Sequence, residues 1–452
     1  MEGGSARGIG YARTTFEQIC RQYPEERPCL EITDAPAHHL RSFHIDCARH
    51  FFSIEELKKM ACTASFFKLN MFHWHISDDQ GWRIESRAFP RLHEIGAWRN
   101  GDHFGNYDSD EREGGYYTRE EVRDLVAFCE NLGIQVVPEI DMPGHVTAIL
   151  AAYPNLSCQK NQVQVGMKSG IYRDIFCAGQ EETYKFIETL LDDLLELFPG
   201  DYVHIGGDET PKVRWKTCPA CQKKMEEEGL TSLQQLQGYM ENRIISCLKK
   251  RGKTAIVWNE AAAGGNLDQD AIVQLWTEDK EGMTQAHVAK GGKVLLSTMM
   301  NCYCDYPYGF INTNRVYSLD TKPKELMDAA AQCLRQETKT SERAENTNAI
   351  IGTECLIWTE YVRTPKRLEE LSWIRFCASA EVGWCGENRP GYEDFASRLK
   401  GLFPVFEEYG IHAEEPEGWV PSQEETMRQL MAFKQNLRQS DLDEMKEAQN
   451  EI

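Results

Sequence analysis

Eight short apolar runs, each followed by a helical pattern, constrain the fold of this chain more than any other feature. The runs occupy residues 42–48, 68–76, 133–140, 202–209, 254–260, 271–276, 293–298 and 352–359. Near-continuous apolar strands separated by helices are typical of a parallel sheet that is buried on both faces. Eight such units within 452 residues predict an α/β chain of the (β/α)8 TIM-barrel class, which often exceeds the usual domain length.

The helices between these runs carry recognisable start signals. Ser53 with Glu56 and Thr118 with Glu121 form capping-box patterns, and Thr364 precedes a proline in a first helical turn. Further helical patterns cover 180–198, 230–250 and 390–400. We therefore predict a barrel over 37–408, an N-terminal helix and linker over 1–36, and a C-terminal helical extension over 409–452.

The charge balance excludes some partners. The chain has 71 acidic and 50 basic residues and a formal net charge of −21, which argues against nucleic acid because phosphate binding needs clustered positive charge. No uninterrupted apolar stretch approaches the roughly 18 residues of a membrane span, and the amino terminus lacks the apolar segment of a signal peptide. We expect a cytoplasmic protein without a membrane partner.

Sixteen cysteines are scattered along the chain, and without a signal peptide we interpret them as reduced, buried thiols. Cys218 and Cys221 form a CxxC pair, which is half of a zinc site or a redox pair. No second CxxC and no histidine pair follows at finger spacing, so we interpret these residues as two neighbouring thiols. Cys158 and Cys177 flank a polar loop, and whether they pair under oxidising conditions stays open.

Polar and aromatic side chains gather at the predicted strand ends, where the catalytic residues of such barrels lie. They are Asp46, Arg49, His75, Asp78, Asp79, Glu139, Asp141, His145, Asp208, Glu209, Trp258, Asn259, Glu260, Trp276, Tyr303, Asp305, Trp358 and Glu360. The combination of carboxylates and indoles suits a sugar, because aromatic faces cover its C–H surfaces and carboxylates bind its hydroxyls and transfer protons.

The segment HIGGDE at 204–209 carries the strongest chemical signal. Its two glycines let a ligand approach the strand end closely, and two adjacent acids follow. On a regular strand Asp208 and Glu209 point to opposite faces, so the strand must break before both can face one pocket. His145 lies within reach, in principle, of Asp78 and Glu209, and such a relay orients an acid and tunes its protonation.

A metal site is the competing interpretation of the same strand ends. His73 and His75 share one face of the second strand, and HxH with nearby acids suits zinc or manganese in a barrel of the amidohydrolase type. Those barrels usually carry HxH on the first strand and need more histidines on later strands than this chain supplies. We interpret His73 as a core histidine and predict no metal in the site.

Many spaced motifs resemble glycoside hydrolase family 20, the β-N-acetylhexosaminidases. They are IDCARHFF (45–52), KLNMFHWHISDDQGWRIES (68–86), GGYYTREE (114–121), VVPEIDMPGH (136–145), HIGGDET (204–210), VWNEAAAGG (257–265), YCDYPYG (303–309) and IWTEYVRTPKRLEELSWIRFCASAEVGW (357–384). The resemblance covers roughly residues 30–410 in order.

The resemblance implies an exo-acting, retaining, substrate-assisted hydrolysis of terminal GlcNAc or GalNAc, without a cofactor. It implies that Glu209 is the general acid and then the base, that Asp208 orients the acetamido group, and that Asp78 and His145 support Glu209. The remaining residues that it implies all contact the sugar: Tyr303 binds the acetamido carbonyl with Asp305 beside it, Trp258, Trp276 and Trp358 enclose the sugar, and Arg49 and Glu360 hold ring hydroxyls.

One departure from the family pattern concerns the ends of the chain. Residues 8–36 resemble only the last helix and linker of a small α/β domain that usually precedes the barrel, which leaves homo-oligomerisation open. The helical pattern over 422–450 indicates a packing helix or a partner surface. Other functions remain open as well: a lacto-N-biosidase or sulfated-GlcNAc specialist within the family, and a metal-dependent amidohydrolase or a non-catalytic carbohydrate-binding protein outside it. Loops 99–113, 159–176 and 311–348 are expected to set specificity.

Overall fold

A computed structural model describes residues 2–100, 112–338, 349–436 and 446 of the chain. Its strands are β1 (Leu40–Asp46), β2 (Met71–Asp78), β3 (Gly81–Trp82), β4 (Trp98–Asn100), β5 (Arg112–Gly114), β6 (Gln135–Ile140), β7 (Tyr202–His204), β8 (Thr254–Trp258), β9 (Ile272–Leu275), β10 (Lys293–Leu296) and β11 (Ile350–Cys355). Every one of the eight predicted apolar runs overlaps a strand of the main sheet.

The helices follow these strands in the expected alternation. They are α1 (Ala6–Gln22), α2 (Ile54–Phe66), α3 (Arg119–Asn131), α4 (Thr147–Ala152), α5 (Glu181–Leu195), α6 (Val213–Thr217), α7 (Pro219–Glu228), α8 (Leu233–Lys250), α9 (Met283–Val288), α10 (Met299–Cys302), α11 (Thr313–Tyr317), α12 (Lys324–Thr338), α13 (Pro365–Cys385), α14 (Tyr392–Leu402), α15 (Pro404–Glu408) and α16 (Gln423–Asn436). None of the described helices is both long and apolar enough to cross a bilayer.

The main sheet closes into a barrel. Its strands follow the order β1, β11, β10, β9, β8, β7, β6, β2, and β1 also pairs with β2, so the barrel has no free edge. All eight pairings are parallel. The register sets Phe43 opposite Phe72 and Ile45 opposite Trp74, and every residue of β1 and β2 is buried. The prediction of a (β/α)8 barrel is confirmed.

The predicted helix starts are present. The Thr118 side chain and Glu121 form the complete capping box of α3, and Ser53 caps α2 by accepting from the Glu56 N–H. Such caps satisfy N–H groups that the helix itself leaves unpaired. The apolar residues of α3 then lie on one face against the barrel.

Helices α1 and α16, the first and last of the described helices, contact the rest of the structure. Arg41 donates from Nη2 to the Tyr11 hydroxyl of α1 at 2.7 Å. At the other end, the Gly309 N–H donates to Gln429 of α16 at 2.8 Å, and the Phe433 ring lies 5.5 Å from the Tyr306 ring. Helix α16 therefore contacts the barrel over its described part but leaves Met427 and Met431 exposed, so both a packing helix and a partner surface stay open. Residues 437–445 and 447–450 of the predicted pattern lie outside the described residues. Most of loop 99–113 and the end of loop 311–348 also lie outside them. The domain boundaries proposed above stay predictions.

Candidate active site

The adjacent acids Asp208 and Glu209 lie beyond a strand that ends early. Strand β7 stops at His204, and Gly206 and Gly207 follow with φ of 72° and 99°. A Cβ on Gly206 would approach Asp141 Oδ1 to 1.6 Å, so only glycine fits this turn. The apolar run predicts a strand that extends to residue 209 and breaks where both acids turn toward one pocket. The structure has that break, at the two glycines.

Glu209 and His145 both have a backbone conformation with positive φ. Glu209 has φ of 40° and His145 has φ of 52°, a region that side chains other than glycine seldom occupy and that is enriched at functional sites. The backbone N–H of Glu209 donates to Glu260 Oε2 at 3.2 Å, which helps to fix this conformation.

His145 links the acids to a pair of buried aspartates. Its Nε2 lies 3.7 Å from Glu209 Oε2 and 3.9 Å from Asp208 Oδ2. Its Nδ1 lies 3.2 Å from Asp78 Oδ1 and 3.1 Å from Asp79 Oδ2. The structure therefore brings the residues of the suggested relay close together, and Asp79, to which the sequence assigned no catalytic role, lies with them.

The protonation of this group differs from its ordinary state. Burial raises the pKa of Glu209 to about 8, and the negative charge of Asp208 adds to this effect. Burial also raises the pKa of Asp208. Burial opposes the charged form of His145, but the carboxylates of Asp78, Asp79 and Asp208 outweigh it and hold the pKa of His145 well above its usual value. At neutral pH the arrangement combines a protonated Glu209 with an imidazolium beside it.

Glu139 organises the barrel interior beneath these acids. Its carboxylate contacts the rings of His73 at 3.2 Å and His204 at 2.9 Å, bonds His75, and accepts from the indole N–H of Trp258 at 2.8 Å. Burial opposes its charge, yet His75, His204 and His73 hold its pKa well below the ordinary value. Sequence reasoning placed Glu139 at a strand end without a role, because these partners come from strands far apart in the chain.

His73 is a core histidine, as the sequence suggested. It is buried, and its Nδ1 lies 2.9 Å from Glu354 Oε1. His75 bonds Asp78 at 2.9 Å through Nε2. The HxH pair is thus engaged with carboxylates of the barrel interior.

Arg49 joins the site through Asp78, the carboxylate that also contacts His145. Its guanidinium donates from Nη2 to Asp78 Oδ2 at 2.8 Å and from Nε to Gln80 Oε1 at 2.9 Å. Glu360 Oε1 is 3.8 Å away, and the Trp358 ring centre lies 5.0 Å from the guanidinium carbon. These contacts fix the long side chain, so that its remaining donors have a defined direction.

Aromatic side chains complete the site. Trp276 stacks on Tyr303 with ring centres 6.0 Å apart, and Trp358 lies 6.3 Å from Tyr303. Trp276 and Trp358 are partly exposed, whereas Trp258 is buried and lies deeper, against Trp358 at 6.0 Å. Asp305 accompanies Tyr303, and burial raises its pKa to about 7.

The predicted site residues thus form one connected group at the carboxyl ends of the strands. The cleavage of a glycosidic bond needs acid–base groups next to an aromatic surface, and this end of the barrel provides both kinds of group. Comparison with known proteins narrows the class.

Residues 38–387 match the model of the family described as glycosyl hydrolase family 20, catalytic domain. The chain belongs to this family of glycoside hydrolases, which confirms the resemblance and favours it over the amidohydrolase hypothesis.

Three relatives illustrate the similarity. A β-hexosaminidase of Porphyromonas gingivalis is 33% identical over 95% of this chain and 55% of its own length. A β-hexosaminidase of Vibrio furnissii is 32% identical over 85% of this chain and 63% of its own length. The solved structure of the exo β-N-acetylglucosaminidase of Vibrio harveyi in complex with N-acetylglucosamine is 30% identical with a TM-score of 0.77, over 92% of this chain and 65% of that chain. This chain therefore spans between 55% and 65% of the length of these three proteins.

Proposed function

We propose that this chain is a β-N-acetylhexosaminidase that releases terminal β-linked GlcNAc or GalNAc from glycans, with retention and with help from the substrate's own acetamido group. One observation carries the proposal: the pair Asp208 and Glu209 lies beside His145 beyond the end of β7, and Tyr303 lies near enough for burial and these two carboxylates to raise the pKa of its hydroxyl. The β-hexosaminidase names of the relatives support it.

Glu209 acts as the general acid in the first step. With a pKa of about 8 it carries a proton at neutral pH, and it is 24% exposed, so it can reach the glycosidic oxygen. The acetamido oxygen of the substrate attacks C1, the bond from C1 to the leaving oxygen breaks, and the Glu209 proton goes to that oxygen. The product of this step is a cyclic oxazolinium ion.

Asp208 and Tyr303 position the acetamido group. Asp208 Oδ1 is buried and has no hydrogen-bond partner among the described residues, so it is available to the acetamido N–H. Its negative charge stabilises the positive charge that develops on the ring. The Tyr303 hydroxyl donates to the acetamido carbonyl, which aligns the oxygen with C1.

The second step uses Glu209 as a base. Water attacks C1, the bond from C1 to the acetamido oxygen breaks, and the Glu209 carboxylate takes a proton from the water. His145, held by Asp78, stabilises the carboxylate in this state. The two inversions at C1 leave the product with the starting β configuration.

The sugar is held as a terminal unit in this proposal. Arg49 and Glu360 bind ring hydroxyls, with Asp305 beside Tyr303, and Trp358 covers a C–H face. Arg49 is only 6% exposed and is fixed by Asp78 and Gln80, which supports a pocket that closes around the non-reducing end.

The test compares substitutions of the two acids. With an aryl N-acetylglucosaminide, Glu209→Gln is expected to lose about 10²- to 10⁴-fold in kcat, the usual contribution of general acid catalysis. The kcat of Asp208→Asn, relative to that of the unaltered chain, is expected to fall further with each fluorine that is added to the acetamido group of the substrate. Fluorine weakens the acetamido oxygen as a nucleophile, and the variant no longer orients that group. Near-normal turnover by Glu209→Gln would contradict the role of Glu209 as the general acid. A kcat that does not change with the number of fluorine atoms would contradict attack by the acetamido oxygen.

A panel of substrates tests the finer alternatives. A terminal GlcNAc or GalNAc substrate is expected to be cleaved, and the thiazoline of N-acetylglucosamine is expected to inhibit. Release of an intact disaccharide would instead favour a lacto-N-biosidase, and a strong preference for 6-sulfated GlcNAc would favour the sulfated-sugar specialist. Binding of GlcNAc without any release would favour a carbohydrate-binding protein.

A further inference from the structure

Cys158 and Cys177 meet the more distant CxxC pair of Cys218 and Cys221 outside the active site. The Sγ atoms of Cys158, Cys177, Cys218 and Cys221 all lie within 4.8 Å of one another. Cys158 lies 3.8 Å from Cys221, and Cys177 lies 3.8 Å from Cys218 and 3.7 Å from Cys221. All four cysteines are free. The two neighbouring thiols that the sequence suggested at Cys218 and Cys221 are therefore part of a larger group, because Cys158 and Cys177 supply a second pair.

The dimensions of this four-cysteine cluster match those of a metal tetrahedron. Four sulfurs at the zinc–thiolate distance of about 2.3 Å from a common centre are separated by about 3.8 Å along each edge. A disulfide would need about 2.05 Å. We propose that the four-cysteine cluster binds a structural zinc ion. A closed site of four thiolates leaves no position for a substrate or water, so this metal takes no part in hydrolysis.

The local structure presents the thiols in the manner of a metal-binding turn. Cys218 is the N-cap of α7, Pro219 starts the helix, and Cys221 lies in its first turn, which gives a chelating CxxC pair. The second pair comes from the two ends of loop 159–176, held together where the Cys177 N–H donates to Leu156 O at 2.8 Å. Cys158 is partly exposed and the other three cysteines are buried, so the centre is largely shielded from water.

The chain next to the cluster is packed closely. A Cβ on Gly179 would approach the carbonyl carbon of Ala220 to 2.2 Å and the N atom of Cys221 to 2.4 Å. Glycine at this position therefore lets the segment after Cys177 lie directly on the CxxC turn. The Trp215 indole N–H adds a bond to Phe176 O at 2.8 Å, which joins the same two segments.

The charge of the occupied site is also accommodated. Zinc replaces four thiol protons, so the centre carries a net charge of −2 and releases four protons. Both cysteines of the CxxC pair lie at the amino end of α7, where the helix dipole and unpaired N–H groups favour negative charge.

The expected role is to hold two loops of the active-site face together. Loop 159–176 contacts the site where Gly166 N–H donates to Asp79 O at 2.8 Å and where Gln80 donates to Lys168 O at 2.9 Å. Asp79 orients His145 and Gln80 orients Arg49. A loop of this length without regular structure loses much chain entropy on ordering, and a metal that joins its ends reduces that cost.

Metal analysis tests the proposal directly. The full chain is purified with a thiol reductant, without chelators and without a histidine tag, and its metals are quantified by mass spectrometry. We expect about one zinc ion per chain. Cys177→Ser and Cys221→Ser are expected to lose at least nine tenths of it, while the control Cys377→Ala, which removes a buried thiol from α13, keeps it.

A second measurement avoids dependence on the folding of the variants. In the unaltered chain, a mercurial that titrates thiols is expected to release zinc to a colorimetric chelator as the four thiols react. Cobalt substitution is expected to give the intense visible bands of a tetrahedral tetrathiolate. Absence of stoichiometric metal after zinc incubation of the reduced chain would overturn the proposal, and so would iron at these thiols or a disulfide within the cluster in the native chain.

The outcome is independent of the catalytic assignment. The zinc content does not depend on turnover. If the chain shows no glycosidase activity, the metal measurement still tests the zinc proposal. As a structural readout, limited proteolysis within loop 159–176 is expected to accelerate about tenfold or more in Cys221→Ser and to stay unchanged in Cys377→Ala. An unchanged rate in both variants would contradict the role in holding the loops.

Discussion

Replacement of Asp78 by asparagine tests how the buried relay controls Glu209. Asp78 is 1% exposed and accepts from Arg49 at 2.8 Å, from His75 at 2.9 Å and from His145 at 3.2 Å. Burial opposes the charge of Asp78, but the cations around it, Arg49 most strongly, hold its pKa well below the usual value. Asparagine keeps the shape of the side chain but removes the charge and one acceptor oxygen.

The expected magnitude follows from these contacts. Removal of one member of a buried charged group costs about 3–5 kcal/mol of stability, so the thermal midpoint should fall clearly. Asp78 acts on catalysis through Glu209, so its replacement should not lower kcat by more than the loss of Glu209 itself does. This sets an upper limit of about 10⁴-fold on the fall in kcat. His145 keeps its contact with Asp79 at 3.1 Å, so we expect a smaller loss, about 10- to 100-fold.

The pH profile separates this role from a general loss of structure. Asp78 raises the pKa of His145, and the His145 cation lowers the pKa of Glu209. Without Asp78 the cation is less stable, so the pKa of Glu209 should rise further above about 8. The acid form then persists to higher pH, and the alkaline limb of kcat/KM for an aryl N-acetylglucosaminide should move upward.

Asp46→Asn provides the matched control. Asp46 is also buried and also contacts Arg49, at 3.3 Å, but His145 contacts Asp78 and Asp79 instead. We expect it to lower the thermal midpoint without moving the alkaline limb. If the alkaline limb of kcat/KM lies at the same pH in Asp78→Asn as in Asp46→Asn, the proposed relay is refuted.

Three further predictions follow from single features. In the unaltered chain, kcat/KM should fall as the pH rises through about 8, because Glu209 loses its proton there; a profile that stays flat to pH 9 would refute this. Gly206→Ala should abolish activity and lower the yield of folded chain, because its Cβ would meet Asp141 Oδ1 at 1.6 Å. The control Gly133→Ala has a similar φ of 77° but open space around it, so in unfolding experiments it should lower the stability by only about 1–3 kcal/mol. Thr118→Ala removes a capping box and should cost about 0.5–2 kcal/mol of stability with kcat unchanged; a large loss of activity would contradict a purely local role.

The residues of the candidate site follow strands, and for this reason the sequence alone could point to them. In a parallel barrel all strand carboxyl ends lie on one face, so Asp78, His145, Glu209 and Trp358 had to come together once the strands were recognised. The same reasoning could not rank these residues by depth. Trp258 proved to be buried against Glu139 instead of lining the open part of the site.

The predicted ends of the strands agree less well with the structure than the predicted strands themselves. The run at 202–209 is apolar enough to suggest a long strand, but Gly206 and Gly207 adopt positive φ and end it at His204. The run at 68–76 begins as a strand only at Met71, because Lys68 has φ of 61°. Backbone geometry at such points is decided by the neighbouring loops, which a local pattern does not contain.

The sequence by itself determined the barrel and the family. Both depend on local information: apolar runs alternate with helical patterns, and short motifs keep their order along the chain. Only the tertiary structure decided the partners of Glu139 and the meeting of Cys158 and Cys177 with Cys218 and Cys221. These groups are dozens of residues apart, and the distance between such residues is set by how loops pack over the closed barrel, which no spacing within the chain specifies.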